Sequence, residues 1–157
     1  MCKPRLQRLK VLFTDHPLYF VTACSHNRRT LLDTPEVQEA FLRFCEQASE
    51  RGVFVGRFVL MPDHLHLFAA FAPQTFRLSD WVKSLKNALS AELRRKGFRG
   101  EHWQKGFFDH VMRSQESYAQ KWEYVRNNPV RAGLVEQAAE WPYQGAVFHL
   151  TFDDGLL

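Results

Sequence analysis

Cysteine is scarce in this chain, and the spacing of its cysteines excludes the common cysteine-based sites. Cys2, Cys24 and Cys45 are the three cysteines, and no two of them form a C-x-x-C motif. An odd count without such a motif predicts reduced thiols rather than a zinc ribbon or a redox pair. Because reduced thiols are typical of the cytoplasm, we expect a cytoplasmic protein.

Long apolar runs are absent too. No segment approaches the ~20 consecutive apolar residues that a membrane helix needs, and no apolar stretch of the signal-peptide kind follows Lys10. We therefore expect no membrane partner. The chain also lacks internal repeats, low-complexity segments and an interdomain linker. Its 157 residues predict a single domain over 1–157, with a basic N-terminal arm at 1–17 and a loose tail at 135–157.

Positive charge is present in moderate excess and is clustered. The net charge is +4 and the isoelectric point is about 9.1. One cluster lies in the first ten residues and a second lies between residues 94 and 105. Local density of this kind is what contacts with phosphate require, so a nucleic-acid partner is favoured. For Arg94, Arg95 and Lys96 a second interpretation stays open, since cations in the last turn of a helix complement its dipole.

The pattern of apolar residues predicts an α+β fold. Aromatic and β-branched runs predict strands at 18–23, 53–61, 64–71 and 107–112. Helices are predicted from a Thr34 cap with Pro35 to Gly52, from a Ser79 cap to Gly97, and from Ser114 to Asn128. The order β-α-β-β-α-β is that of a ferredoxin-like antiparallel sheet with both helices on one face, followed here by one more helix. The other face of such a sheet is free to carry ligands.

Two groups of residues near this sheet allow more than one interpretation. The apolar stripe of the second predicted helix, which contains Trp81, Leu85 and Leu89, is expected to be core. The aromatic block of Trp103, Phe107 and Phe108 is expected to be core rather than a platform on which bases stack. Asp109 and His110 are polar residues within that aromatic block. They either assist a site or flank the end of a strand, and the sequence leaves both interpretations open.

The pair His64 and His66 lies at the start of the third predicted strand. Residues two apart on a strand point to the same face, so both imidazoles project together and are close enough to hold one divalent metal ion. A His-x-His pair alone is a weak signal, and by itself is more often two ordinary strand histidines. A metal site therefore needs further residues.

Tyr124 and Asn128 are the candidates for those further residues. They are four apart on the last predicted helix and so share a face. The amide oxygen of Asn128 can complete a metal shell while the Tyr124 hydroxyl stands beside it. Taken alone, a tyrosine at position 124 is more often a packed helix-face residue with its hydroxyl in solvent. Asn128 with Pro129, taken alone, marks only the end of a helix.

Three blocks of the sequence resemble the signature motifs of one known family. They are residues 61–67 (MPDHLHL), 103–113 (WQKGFFDHVMR) and 124–134 (YVRNNPVRAGL). In this order they resemble the REP-associated tyrosine transposases, which are single-tyrosine HUH endonucleases related to the smallest insertion-sequence transposases. The resemblance implies a ferredoxin-like fold, a Mg²⁺ or Mn²⁺ ion, and cleavage of single-stranded DNA beside hairpin-forming repeats of bacterial genomes.

The resemblance also implies a role for each matching residue. His64 and His66 match the metal-binding pair, Tyr124 the nucleophile that forms a 5′-phosphotyrosine, and Asn128 the third metal position, which in other branches is often Gln, Glu or His. Tyr118 does not match. Two histidines and one amide are a neutral ligand set, which suits Mn²⁺ better than Mg²⁺.

The expected partner is single-stranded or hairpin DNA, bound by a monomer or, as in insertion-sequence relatives, by a homodimer; the cellular location implied is the bacterial nucleoid. The predicted DNA contacts are all cationic: Lys3, Arg5, Arg8, Arg28, Arg29, Lys83, Lys86, Arg94, Arg95, Lys105, Arg113 and Arg126. The alternative function is a DNA- or RNA-binding module of the same fold that does not cleave. A small metal hydrolase is disfavoured by the basic clusters and the lack of an evident carboxylate base.

Overall fold

The computed structural model describes residues 10–13, 17–73 and 76–152. Its strands are β1 Lys10–Phe13, β2 Leu18–Cys24, β3 Val53–Leu60, β4 His64–Phe71, β5 Phe108–Met112, β6 Gln144–Ala146 and β7 His149–Phe152. Its α-helices are α1 Pro35–Ala48, α2 Leu78–Arg95, α3 Gln115–Arg126 and α4 Asn128–Arg131. Short 3-10 turns occur at His26–Arg28, Ser49–Arg51 and Ala138–Glu140.

The four strands predicted from the sequence form the body of one sheet. Its order is β5-β2-β4-β3-β6, and every neighbouring pair is antiparallel. Along the chain these elements are connected as β2-α1-β3-β4-α2-β5. The prediction of an α+β, ferredoxin-like sheet followed by a further helix is confirmed.

The two faces of the sheet have different coverings. Alternate residues, such as Val21, Leu65 and Leu67, pack in one core cluster with α1 and α2, which we call the helix-pair face. The residues between them point to the opposite face, where Phe68 lies 4.7 Å from the ring of Tyr118 on α3. This second side is the α3 face. The strand period of two therefore decides which side chains share the surface with α3.

Local chemistry explains two of the helix starts and corrects a third. Thr34 accepts a hydrogen bond from the amide of Val37 at 3.3 Å, with Pro35 at the first helical position, as predicted. Ser114 forms a reciprocal capping box with Ser117 at the start of α3. The predicted Ser79 cap is wrong: α2 begins at Leu78, and its preceding residue makes no side-chain cap.

The segment predicted as a loose tail contains two strands. β7 pairs in parallel with β1, which lies in the segment predicted to be the basic arm. β6 pairs with the outer edge of β3. Trp141 is buried, and its indole N–H donates to the carbonyl oxygen of Leu60 at 3.0 Å. Strands of three or four residues are too short for hydrophobic alternation to reveal them. The predicted DNA contacts Lys3, Arg5 and Arg8 lie outside the described residues.

A bulge in β3 brings the sheet close to α3. The register between β3 and β4 shifts between Val55 and Phe58. A side chain at Gly56 would put Cβ only 2.5 Å from Cδ1 of the buried Leu150, so the backbone there needs glycine for close approach. The next residue, Arg57, places its guanidinium 5.1 Å from the ring centroid of Trp122 on α3.

Among the helices in the described part of the chain, none combines the length and the apolar character needed to cross a membrane.

Candidate active site on the α3 face

The two histidines of β4 project side by side from the α3 face. Their ring centroids are 4.8 Å apart and their planes meet at 79°. His64 Nδ1 lies 2.8 Å from Asp63 Oδ1, and His66 Nδ1 lies 2.7 Å from the hydroxyl of Thr22 on β2. The tautomers that donate from Nδ1 leave Nε2 of both rings with a free lone pair. Hydrogen bonds of this kind are how proteins orient imidazoles as metal ligands.

Asp63 connects His64 to the loop after β2. Its other oxygen accepts from Arg28 Nε at 2.9 Å, and Arg28 Nη1 lies 3.0 Å from Cys24 Sγ. Burial tends to raise the pKa of Asp63, but hydrogen bonds and charges from His64 and Arg28 outweigh it, so its pKa is lowered. Asp63 is therefore ionised at neutral pH and accepts both hydrogen bonds.

The loop that supplies Arg28 has an unusual backbone. Asn27 and Arg28 have φ values of 52° and 55°, in the left-handed region. Asparagine tolerates this region, whereas arginine does so at a cost, and such residues concentrate at functional sites. The hydrogen bond between Arg28 and Asp63 offsets that cost and fixes the loop against the histidine pair.

The environment of His66 keeps its ring neutral. Burial lowers its pKa to about 3, helped by electrostatic interaction with the neighbouring His64 and by the positive charges of Lys121, Arg131 and Arg28. Phe20 stacks on the ring, with centroids 5.2 Å apart and planes at 20°. The site thus combines an uncharged imidazole, which can ligate a metal, with surrounding cations, which attract anions.

Helix α3 crosses this face and carries Tyr124. The Tyr124 side chain is exposed, with 63% of its surface accessible, and the Arg131 guanidinium carbon lies 3.9 Å from its ring centroid. Arg131 also donates to the amide oxygen of Asn128. Lys121, one turn before Tyr124, places its ammonium 5.2 Å from the centroid of Phe20, the ring stacked on His66. Arg131 therefore contacts both Tyr124 and Asn128, and its positive charge also helps to lower the pKa of His66.

The helix of Tyr124 does not run continuously to Asn128, so that part of the prediction is wrong. α3 ends at Arg126, and Asn128 begins the separate turn α4. Pro129 has no N–H to donate to Val125, and its ring would clash with that carbonyl. The side chain of Asn127 instead donates to the carbonyl oxygen of Glu123 at 2.7 Å. Arg131, rather than helical periodicity, connects Tyr124 to Asn128.

The donor set fits a divalent ion whose shell is completed by oxygen. Two oriented Nε2 atoms are available, and the described residues contain no group of three or more His, Cys, Asp and Glu side chains able to hold a metal. The remaining positions around such an ion would be filled by neutral oxygens, from an amide side chain, a substrate or water.

Comparison with known proteins identifies the family. The family described as "Transposase IS200 like" matches residues 15–128, which include both histidines, Tyr124 and Asn128. The chain belongs to this family. It is a transposase by the same relationship, as the sequence resemblance implied.

Relatives of known name agree with the family. The REP-associated tyrosine transposase of Escherichia coli K12 is 25% identical over 138 residues, covering 88% of this chain and 80% of the relative. A Haemophilus influenzae protein that is provisionally named a REP-associated tyrosine transposase is 27% identical over 150 residues, covering 87% of this chain and 82% of the relative. The solved structure of a REP-associated tyrosine transposase bound to a REP hairpin matches with a TM-score of 0.67 and 25% identity, covering 92% of this chain and 82% of that one.

Many cations predicted from the sequence of this transposase lie away from the histidine pair. Lys83, Lys86, Arg94 and Arg95 belong to α2, on the helix-pair face. Several are engaged within the fold: Lys86 donates to the carbonyls of Gln104 and Gly106, Arg29 to those of Arg99 and Glu101, and Arg95 pairs with Glu92. Lys105 and Arg113 are exposed, and Arg126 lies 3.5 Å from Glu123. Their roles in DNA binding stay predictions.

Arg28 is the predicted cation that the fold brings beside the histidines. Two more, Lys121 and Arg131, were missed by sequence reasoning. The signal for Arg131 was its position three residues after Asn128 in a tight Asn-Pro turn, where i and i+3 side chains meet.

The expectation that Phe108 is core is wrong, whereas Trp103 and Phe107 do pack against the core. Phe108 is 65% exposed. On β5 it lies opposite Thr22, and His110 lies opposite Phe20, so both share the α3 face with His66. Asp109 lies opposite the buried Val21 and points to the other face. Of the two polar residues, only His110 is on the side of the site.

Proposed function

We propose that this transposase cleaves and rejoins single-stranded DNA beside a hairpin-forming repeat, using Tyr124 as the nucleophile. The observation that carries the proposal is an exposed tyrosine, held by the guanidinium of Arg131, on the helix that packs on the same sheet face as the oriented histidine pair. Tyr118, by contrast, is buried against Phe68 and cannot reach a substrate.

The covalent step is a displacement at phosphorus. The Tyr124 oxygen loses its proton to solvent and forms a bond to the phosphorus atom, while the bond to the 3′ oxygen breaks. The departing 3′ oxygen takes up a proton from solvent, so the products are a 5′-phosphotyrosine and a strand with a free 3′-hydroxyl. In the second step another 3′-hydroxyl loses its proton and bonds to the phosphorus, while the bond to the Tyr124 oxygen breaks and that oxygen takes up a proton; the strands are joined. One phosphodiester is exchanged for another, so no nucleotide cofactor is needed.

The other residues of the site bind and orient. His64 and His66 would hold a Mg²⁺ or Mn²⁺ ion, with Asn128 as a further ligand. Such an ion, when bound, supplies Lewis acidity toward a phosphate oxygen. Lys121, Arg131 and Arg28 surround the pair with positive charge and favour a phosphate there. Arg131 also restricts the Tyr124 ring, which would otherwise turn freely in solvent.

The proposed substrate is a DNA hairpin with a single-stranded flank, bound by a monomer. Two observations support this substrate: Lys121, Arg131 and Arg28 place positive charge around His66, and the solved relative is bound to a REP hairpin. DNA would approach from the α3 face, where the histidines and Tyr124 lie. A bacterial nucleoid location follows from such a substrate.

The test is covalent capture of a labelled hairpin oligonucleotide in the presence of Mn²⁺. The wild-type chain should form a protein–DNA adduct, Tyr124→Phe should form none, and EDTA should abolish it. Tyr118→Phe is the matched control, since it removes a buried hydroxyl from the same helix and should leave the adduct intact. An adduct in Tyr124→Phe overturns the nucleophile. Tight hairpin binding without scission under any metal would instead support a non-catalytic binding module.

A further inference from the structure

An exposed aromatic side chain lies in the same cross-strand row as His66. Phe108 on β5 faces Thr22 on β2, and Thr22 faces His66 on β4. Thr22 also makes the hydrogen bond that orients the His66 ring. Directly opposed residues of antiparallel neighbours point to the same side of a sheet, so Phe108 and His66 stand on one surface with Thr22 between them.

The exposure of Phe108 is unusual for its position. It is 65% exposed, more than any other large hydrophobic residue in the part of the chain that the structure describes. Its neighbour Phe107 points the other way and packs against the core. An exposed phenylalanine alone has no special meaning, but this one shares a cross-strand row with His66 and stands on the outer strand of the sheet.

We propose that Phe108 is the stacking platform for one base of the single-stranded DNA flank, next to the phosphate that Tyr124 attacks. This inference rests on the proposed function and identifies a subsite for its substrate. Two strand spacings separate Phe108 from His66, which is roughly 10 Å. A nucleotide one or two positions from the scissile phosphate can span this distance with its base turned to the ring.

Charge at the site favours the same occupant. The cations near His66, namely Lys121, Arg131 and Arg28, attract the backbone of a nucleic acid. A ring beside such a cationic surface is the combination by which proteins hold single strands: backbone in a positive groove and bases on aromatic side chains. Because every base has a flat π-face, Phe108 contributes affinity and placement of the strand rather than recognition of a particular base.

The proposal is tested by combining the Phe108→Ala substitution with removal of single bases from the DNA. The probe is a fluorescent hairpin oligonucleotide with a single-stranded flank, in versions with one abasic nucleotide at each flank position, bound in EDTA so that no cleavage occurs. Phe108→Ala should weaken binding of the intact probe about tenfold. At one abasic position the wild-type chain should lose the same factor, and Phe108→Ala should lose nothing more.

Two further variants separate stacking from structure. Phe108→Trp keeps an aromatic platform and should restore binding. Phe76→Ala removes another exposed phenylalanine, 42% accessible, which lines a cavity with Trp81 on the helix-pair face, and should bind as the wild type does. A loss in Phe108→Ala that no abasic position removes, or equal binding of Phe108→Ala and Phe76→Ala, overturns the platform.

Failure of this inference is distinguishable from failure of the proposed function. With the probe at saturating concentration and Mn²⁺ present, the wild-type chain and Phe108→Ala should both form the Tyr124 adduct. Normal adduct formation without base-dependent binding overturns only the platform. Absence of the adduct in the wild-type chain overturns the proposed function, whereas base-dependent binding would still support stacking on Phe108.

Discussion

The guanidinium of Arg131 lies over the ring of Tyr124, with its central carbon 3.9 Å from the ring centroid, and also donates to the amide oxygen of Asn128. One side chain thus joins the proposed nucleophile to a proposed metal ligand. Its contact with Tyr124 is made from α4, across the break that Pro129 imposes. Arg131 is therefore a positioning residue whose removal should affect the rate of attack more than binding of DNA.

Arg131→Ala should slow formation of the covalent adduct at saturating hairpin by roughly tenfold or more, equivalent to about 1.4 kcal/mol in the barrier. The reason is that the Tyr124 ring and Asn128 both lose the group that orients them. Single-turnover kinetics separate this rate from the Kd of the hairpin. Arg131→Lys keeps the charge without the flat stack and should recover only part of the rate. As a control, Arg43→Ala removes an exposed guanidinium from α1, which pairs there with Glu39, and should react at the wild-type rate. An equal loss in both variants contradicts the positioning role.

Asp63 should control metal affinity through His64. Asp63→Asn keeps the size of the side chain but removes the charge that holds the Nδ1 proton of His64, so Mn²⁺ affinity should fall about 10-fold to 100-fold. Isothermal titration with Mn²⁺ in the absence of DNA measures it. Asp109→Asn is the matched control, because Asp109 points to the helix-pair face and should leave affinity unchanged. Unchanged affinity in Asp63→Asn would mean that His64 is oriented by something else.

His66 should make the metal-free protein sensitive to mild acid. Its pKa is about 3 in the folded chain and about 6.5 when unfolded, so between these values the unfolded chain binds more protons. Stability therefore falls as pH drops below about 6.5. From pH 6.5 to 4.5 the loss due to this group should be ~1–2 kcal/mol, since the ring is partly in contact with solvent.

Urea unfolding in EDTA at several pH values measures that loss. His66→Gln, which retains a polar partner for Thr22, should show a flatter dependence of unfolding free energy on pH than the wild type. Parallel curves for the two proteins would show that His66 titrates near its ordinary pKa in the fold.

Sequence patterning predicted the elements that are long and periodic. The apolar stripe of Trp81, Leu85 and Leu89 was sufficient to predict α2, because those side chains are buried together. The alternation through His64 and His66 places β4 because one of its faces packs on α1 and α2. Where burial repeats with a fixed period, the sequence carries the information that specifies the element.

Features that depend on contacts distant in sequence could not be predicted in this way. β1 and β7 are four residues each and exist as a pair, so neither has a pattern of its own. Phe108 was expected to be core because it belongs to an aromatic block with Trp103 and Phe107. Its position on the outer strand nevertheless exposes it. The contact of Arg131 with Tyr124 depends on a helix break whose geometry no periodicity describes. The side-by-side placement of His64 and His66 was predictable from strand alternation, whereas the contact of Thr22 with His66 required the fold.

Gly56 should be required for stability, because the backbone of Gly56, at the bulge of β3, lies directly against the side chains of Leu150 and Tyr118. In Gly56→Ala the new Cβ would lie 2.5 Å from Cδ1 and 2.8 Å from Cγ of Leu150, which is only 3% exposed and cannot move into solvent. Overpacking of this kind costs typically 1–3 kcal/mol, so we expect the unfolding free energy in urea to fall by ~2 kcal/mol. Gly145→Ala is the matched control, since its Cβ would meet only Phe58 at an ordinary 3.4 Å and should cost much less.

The source of that cost can be shown by relieving the clash. Leu150→Val shortens the side chain that Gly56→Ala meets, so the double variant should be destabilised by less than the sum of the two single variants. Strict additivity would place the strain elsewhere, in the backbone of the bulge itself. Because Tyr118 Oη also lies 3.3 Å from the added Cβ, a shift of α3 is the other way to relieve the clash. Slower adduct formation by Gly56→Ala at full DNA occupancy would then follow, since α3 carries Tyr124, the proposed nucleophile, and a shifted helix changes its position relative to the histidine pair.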